Sequence, residues 1–175
     1  VQPTQDGALR VDAGLAQQPQ AQWLDAAYWQ ALGRAHGVDG GRGGTLFVDT
    51  PLGACALRHY RRGGLMTRFT RDSYAWFGAE RTRAFREFRL LAALADAGLP
   101  VPAPVAARYR RRGLRYRADL LTRRIEAVEP LAARMTAQRL DEALARAVGA
   151  TLARFHARGV WHADLNASNI LVGSD

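Results

Sequence analysis

The run His162-Ala163-Asp164-Leu165-Asn166-Ala167-Ser168-Asn169 puts a carboxylate and a side-chain amide five residues apart in a short polar stretch between two apolar runs. A carboxylate at Asp164 can accept a proton from a substrate hydroxyl while holding that oxygen in line with a phosphoryl group. An amide at Asn169 can turn back and bind Mg2+ on the phosphates. The pattern H-x-D-L-x-x-x-N therefore suits phosphoryl transfer to an alcohol. A plain polar turn, its Asp and Asn capping local backbone, is the other reading of the same residues. Strands are predicted on both sides of the loop, at residues 159–161 and 170–172.

Such a loop needs elements to hold it and a nucleotide site to face. Residues 141–158 read as a long helix with Leu144, Val148, Leu152 and Phe155 along one stripe, closed by Gly159. Residues 81–97 form the clearest amphipathic helix, with Phe85, Phe88, Leu91, Ala92, Leu94 and Ala95 at helical spacing; Gly98 ends it and Pro100 stops its return. Between Gly40 and Gly44 a glycine-rich run precedes a strand at 45–49, a turn at 50–53 and a second strand at 54–60. Glycines there would let backbone N–H groups approach phosphates, and an ordinary hairpin would have the same sequence. In the second strand Ala56 and Arg58 share a face. Residues 65–77 read as a basic, aromatic loop and short helix. Residues 105–109 and 114–122 are expected to pair as a hairpin around the arginine run 110–112, and 123–126 to connect two parts of the chain. Residues 22–34 are predicted as a short helix whose Trp23, Tyr28 and Trp29 pack inward. Residues 1–21, rich in Gln, Ala, Gly and Pro, are expected to be loosely structured.

Composition narrows the class. The 175 residues suit one domain, or one lobe and part of another. All 25 basic residues are arginine and the net charge is +9, a balance that attracts phosphate-rich partners. With Cys55 alone, an internal disulfide and a cysteine metal cluster are excluded, which suits a reducing compartment. No apolar run approaches the roughly 18 residues of a membrane span. The start at Val1 reads as trimmed, and Asp175, after Gly173-Ser174, as a turn residue rather than a metal ligand.

The loop pattern is that of the protein-kinase superfamily. Several segments together resemble one family within it, the 3-deoxy-D-manno-octulosonic acid (Kdo) kinases of Gram-negative lipopolysaccharide synthesis. The segments are Ala56-Leu57-Arg58-His59-Tyr60-Arg61-Arg62-Gly63-Gly64-Leu65, Thr82 to Phe88, Ala97 to Pro102, Ala118-Asp119-Leu120-Leu121-Thr122 and His162 to Leu171. The run L-R-H-Y-R-R-G-G is far more specific than the loop. The resemblance covers about Gly40 to the end.

The resemblance implies an α+β, bilobal, protein-kinase-like fold: an N-lobe antiparallel sheet with a helix, then the beginning of a mainly helical C-lobe. Residues 1–36 would be a leader and short helix, 37–124 the N-lobe, with the hinge at 123–126, and 125–175 part of the C-lobe. It implies ATP-dependent transfer of phosphate, with Mg2+, to a hydroxyl of Kdo on a lipid A precursor. The work would be done by a peripheral protein at the anionic cytoplasmic face of the inner membrane, with no nucleic acid partner. By position, Asp164 matches the catalytic base, Asn169 the metal-binding amide, Arg58 the phosphate-gripping cation, Glu87 its helix partner (Glu80 being the second choice), and Gly41 and Gly43 the phosphate loop. The family's later metal-binding Asp has no counterpart within the chain, so the C-terminus is expected to be truncated. Ala163 replaces the Arg that meets a phosphorylated activation loop, which implies constitutive activity. Asn166 stands where protein kinases often carry Lys, and Arg61 or Arg62 is the candidate for the missing charge. A protein or antibiotic kinase, a nucleotide-binding pseudokinase and an Arg-rich nucleic-acid binder are the competing readings.

Overall fold

The computed structural model describes residues 1–37, 45–61 and 72–173. It is a mixed α/β structure with one large antiparallel sheet and few helices, and the chain packs as two units, Val1–Arg124 and Ile125–Asp175.

In the first unit the strands are β1 (Gln2–Thr4), β2 (Gly7–Val11), β3 (Ala35–His36), β4 (Thr45–Thr50), β5 (Gly53–His59), β6 (Tyr74–Ala75), β7 (Pro104–Arg112) and β8 (Arg115–Arg123). They order as β1-β2-β7-β8-β5-β4-β3, with β6 paired to the outer part of β8. Every pairing is antiparallel.

The sheet is covered on both faces. Helix α2 (Arg83–Asp96) lies on one, where Ala84, Phe85 and Phe88 pack with Tyr60, Tyr109, Ala118 and Leu120. On the other face Trp23 and Leu24, from a single 3-10 turn, and Trp29, from α1 (Ala26–Ala31), pack on Leu9, Val48, Cys55, Leu57 and Leu121. The Trp29 indole N–H donates to the Trp23 carbonyl at 2.7 Å, so its one polar atom is satisfied in the core. Cys55 is a free, buried thiol.

A charged cluster is sealed beneath the 3-10 turn. The Arg108 guanidinium donates to Asp119 and Asp25 and to the carbonyls of Ala21 and Leu24. Asp119 also meets the His59 ring at 2.6 Å. A buried guanidinium is tolerable only with its donors matched this fully.

Several expectations change here. The first 21 residues are not a loose leader at their start: β1 and β2 extend the main sheet through the β2–β7 pairing. Ala8 packs in the α2-side core and Leu9 in the other, so β2 is covered on both faces and shows no alternation to read. The hairpin strands also run on through the arginine stretch, with Arg110↔Arg117, Arg111↔Tyr116 and Arg112↔Arg115 in register, because those side chains can face solvent while the backbone continues the ladder. The helix expected at 22–34 is divided into the 3-10 turn Ala21–Leu24 and α1. Of residues 65–77, 65–71 lie outside the described residues, and Tyr74–Ala75 are strand β6.

The second unit contains β9 (Val128–Pro130), α3 (Leu131–Thr136), α4 (Glu142–His156) and β10 (Leu171–Gly173), with β9 and β10 paired. Asp141 caps α4 by accepting from the Leu144 N–H at 2.8 Å. At its other end Gly159, at φ 69°, lets the Val160 N–H reach back to the Phe155 carbonyl. Residues 159–161 are therefore the exit of a helix and not a strand.

Candidate active site

Arg58 is placed by the register of β5, opposite Leu120 on β8 and Thr45 on β4. The alternation that sends Cys55 and Leu57 into the α1-side core turns Arg58 toward α2. Helix α2 is fixed to that face by its apolar stripe and by the Tyr116 hydroxyl, which accepts from the Arg83 N–H at 3.0 Å. Glu87, three residues after the buried Ala84, then meets the arginine: Arg58 Nη2 is hydrogen-bonded to Glu87 Oε1.

A third residue joins this pair. Arg58 Nη2 also donates to the Tyr60 hydroxyl at 2.9 Å, and that hydroxyl donates to Glu87 Oε2 at 2.6 Å. Burial opposes the charge on Arg58, and the Tyr60 oxygen and Glu87 carboxylate beside it outweigh that opposition, raising its pKa above the ordinary guanidinium value. The pair is half-buried, and Arg58 Nε, shut off from solvent, has no partner among the described residues. A fixed cation of this kind is suited to phosphate oxygens. Glu80, the second choice for this partnership, instead binds Arg10 and Arg89 on the surface. Gly41, Gly43 and Arg62 lie outside the described residues; Arg61 is exposed.

In the second unit Asp164 and Asn169 share one tight loop. Asn169 Nδ2 donates to the Asp164 carbonyl at 2.7 Å and lies 3.5 Å from its carboxylate Oδ2. Asn166 Nδ2 approaches the same carbonyl at 3.2 Å and Oδ1 at 3.3 Å, and the Asp164 N–H donates to His162 Nδ1 at 3.3 Å. The amide of Asn169 thus uses its donor internally, and its Oδ1, an acceptor, is what it retains for a ligand.

The segment 128–136, which carries no periodic signal, supports this loop. The Leu131 and Ala132 N–H groups, at the start of α3, donate to the carbonyls of Ile170 and Ala167 at 2.8 and 3.0 Å. β9 pairs with β10, and Glu129 on it is held by Arg134 and Arg139. The chain on either side of the Asp164 loop is thus held by α4 before it and by β10 after it.

Among the described residues no three His, Cys, Asp or Glu side chains group as a metal cage. Mg2+ does not require one: it keeps waters, takes substrate phosphates and accepts one or two protein oxygens. Asn169 Oδ1 is an oxygen donor of that kind. No helix among the described residues is long and apolar enough to cross a membrane.

The model of the lipopolysaccharide kinase (Kdo/WaaP) family matches residues 26–175. The chain is 49% identical over 172 residues to the 3-deoxy-D-manno-octulosonic acid kinase of Stenotrophomonas maltophilia (strain R551-3), covering 94% of the chain and 66% of that relative. It is 48% identical to the enzyme of the same name from Xanthomonas campestris pv. campestris (strain B100), with 94% and 66% covered. For the one from Vibrio parahaemolyticus serotype O3:K6 (strain RIMD 2210633) the identity is 42%, with 92% and 68% covered. The chain thus spans about two thirds of the length of these relatives. No solved structure matches it. With a family model spanning both the Arg58–Glu87 pair and the Asp164 loop, the chain belongs to the lipopolysaccharide kinase (Kdo/WaaP) family.

Proposed function

We propose that the protein is an ATP-dependent kinase that phosphorylates a hydroxyl of Kdo on a lipid A precursor, built as a bilobal kinase-like fold. The first unit is its N-lobe and the second the start of its C-lobe. The Arg58–Glu87 pair carries this reading. It sets a cation on a central strand and locks it from a helix, the arrangement that phosphoryl transfer asks of the phosphate-binding lobe. The names of the relatives supply the substrate class.

In this mechanism Arg58 binds the α/β-phosphates and Glu87 keeps its fork oriented. The glycine run at Gly41 and Gly43 covers the phosphates. Asp164 orients the sugar hydroxyl. As the sugar oxygen bonds to the γ-phosphorus and the bridging bond to ADP breaks, Asp164 accepts the hydroxyl proton. Asn169, through its Oδ1, is the group that would hold Mg2+. When bound, that ion supplies charge neutralisation for the phosphates. The protein works as a peripheral protein on the anionic cytoplasmic face of the inner membrane, where its +9 charge favours association.

The test is transfer of labelled γ-phosphate to a Kdo-bearing lipid A precursor, with lipid A precursor lacking Kdo and a generic protein substrate as controls. Label on the Kdo-bearing lipid alone is the expected result. Label on protein alone, or ATP binding with no transfer to any acceptor, contradicts the assignment.

A further inference from the structure

Tyr60 follows β5 directly, two residues beyond Arg58 and on the same side of the sheet. Its N–H still bonds the Ala118 carbonyl at 3.0 Å, so its backbone is held in line with the strand. The residue is 8% exposed, and it packs among Phe85, Phe88 and Leu120. The Arg58 guanidinium carbon lies 4.7 Å from the centre of that ring.

The hydroxyl completes a closed triangle. Arg58 Nη2 bonds both Glu87 and Tyr60, and Tyr60 bonds the second oxygen of Glu87. A lone arginine–glutamate pair leaves both long side chains free to rotate about their contact, and a half-exposed pair contributes little by itself. Adding a rigid phenol removes that freedom: with only two side-chain torsions, its oxygen is positioned by the packing of its ring. Burial, reinforced by the nearby Glu87 charge and opposed by Arg58, pushes the Tyr60 hydroxyl pKa well above the ordinary phenol value. It therefore stays protonated and is able to accept from Arg58 and donate to Glu87 at once.

We propose that Tyr60 is a positioning residue for nucleotide binding, whose hydroxyl holds the Arg58–Glu87 pair so that the remaining guanidinium donors stay aimed at the ATP phosphates. It touches neither ATP nor the sugar. The inference rests on the phosphate-binding role proposed for Arg58.

Tyr60→Phe tests it, because the ring and its packing remain and only the hydroxyl is removed. The ATP dissociation constant and KM are expected to rise roughly five- to tenfold with kcat within about twofold, since an interaction shared by ground and transition states is lost. In a Glu87→Gln background the same change is expected to have less than about a twofold effect, as the triangle is already broken. The ATP-induced shift in melting temperature, read beside the melting temperature without ATP, separates positioning from packing. A lower melting temperature with an unchanged ATP shift and KM makes Tyr60 a packing residue and overturns the proposal. An equal effect of Y60F with and without Glu87 overturns it also. Failure of the unsubstituted protein to bind ATP would instead remove the role of Arg58 itself, and the proposal with it.

Discussion

Arg58 on β5 and Glu87 on α2, 29 residues apart in the chain, are bonded across the face of the sheet. Nothing local brings them together. The strand register sets the arginine and the packing of Phe85 and Phe88 sets the helix. The charged pair is therefore a product of the whole first unit, and changes at either member report on it.

Replacing Arg58 by Gln keeps a donor but removes the charge and the fork. ATP affinity is expected to fall about ten- to a hundredfold, on the scale of about 1.5–3 kcal/mol for hydrogen bonds to charged groups. Isothermal titration with ATP measures this directly. Affinity within about twofold of the original would remove Arg58 from phosphate binding.

Acid should loosen the 3-10 turn from the sheet. Burial raises the Asp25 pKa, and the hydrogen bond and charge of Arg108, with the charge of Arg110, outweigh it, leaving the carboxyl below its ordinary range. A carboxylate lowered in the folded state stabilises it above its unfolded pKa, and that stabilisation is lost as pH falls through the lower folded value. Between pH 6 and pH 3 the melting temperature should therefore fall more steeply than in Asp25→Asn. Parallel slopes would show that Asp25 does not couple protonation to folding.

Gly7 tests the unexpected strand. A Cβ there would collide with the carbonyl of Tyr109 on β7, so Gly7→Ala must push β2 away from the sheet. A loss of about 1–3 kcal/mol is expected in urea unfolding, within the range of overpacking changes. No loss would mean that residues 7–11 are not held against β7.

That strand also shows where the sequence is mute. The helix α2 and the strand β5 were legible because one face of each is buried and the other is not, leaving periods of 3.6 and 2. The 15-residue helix α4 was legible from its stripe and its glycine stop, even though none of its residues is fully buried. β2 and the short elements β9 and α3 have no such contrast: Ala8 and Leu9 face opposite cores, and β9 exists only through its distant partner β10. Charge and motif spacing mark Arg58, Glu87, Asp164 and Asn169 in the sequence. Tyr60 carries no such mark, although it stands inside the specific run around Arg58, because an aromatic on a strand reads as core until its hydroxyl partners are seen.

The most direct test of phosphoryl transfer at this site is the turnover of Asp164→Ala on a Kdo-bearing lipid A precursor, with circular dichroism and melting recorded on the same preparation. Loss of general base action costs about 10²–10⁴-fold in rate. A fall of that size in kcat is expected, with the fold and ATP affinity retained. Turnover within a few-fold of the original would contradict phosphoryl transfer at this site.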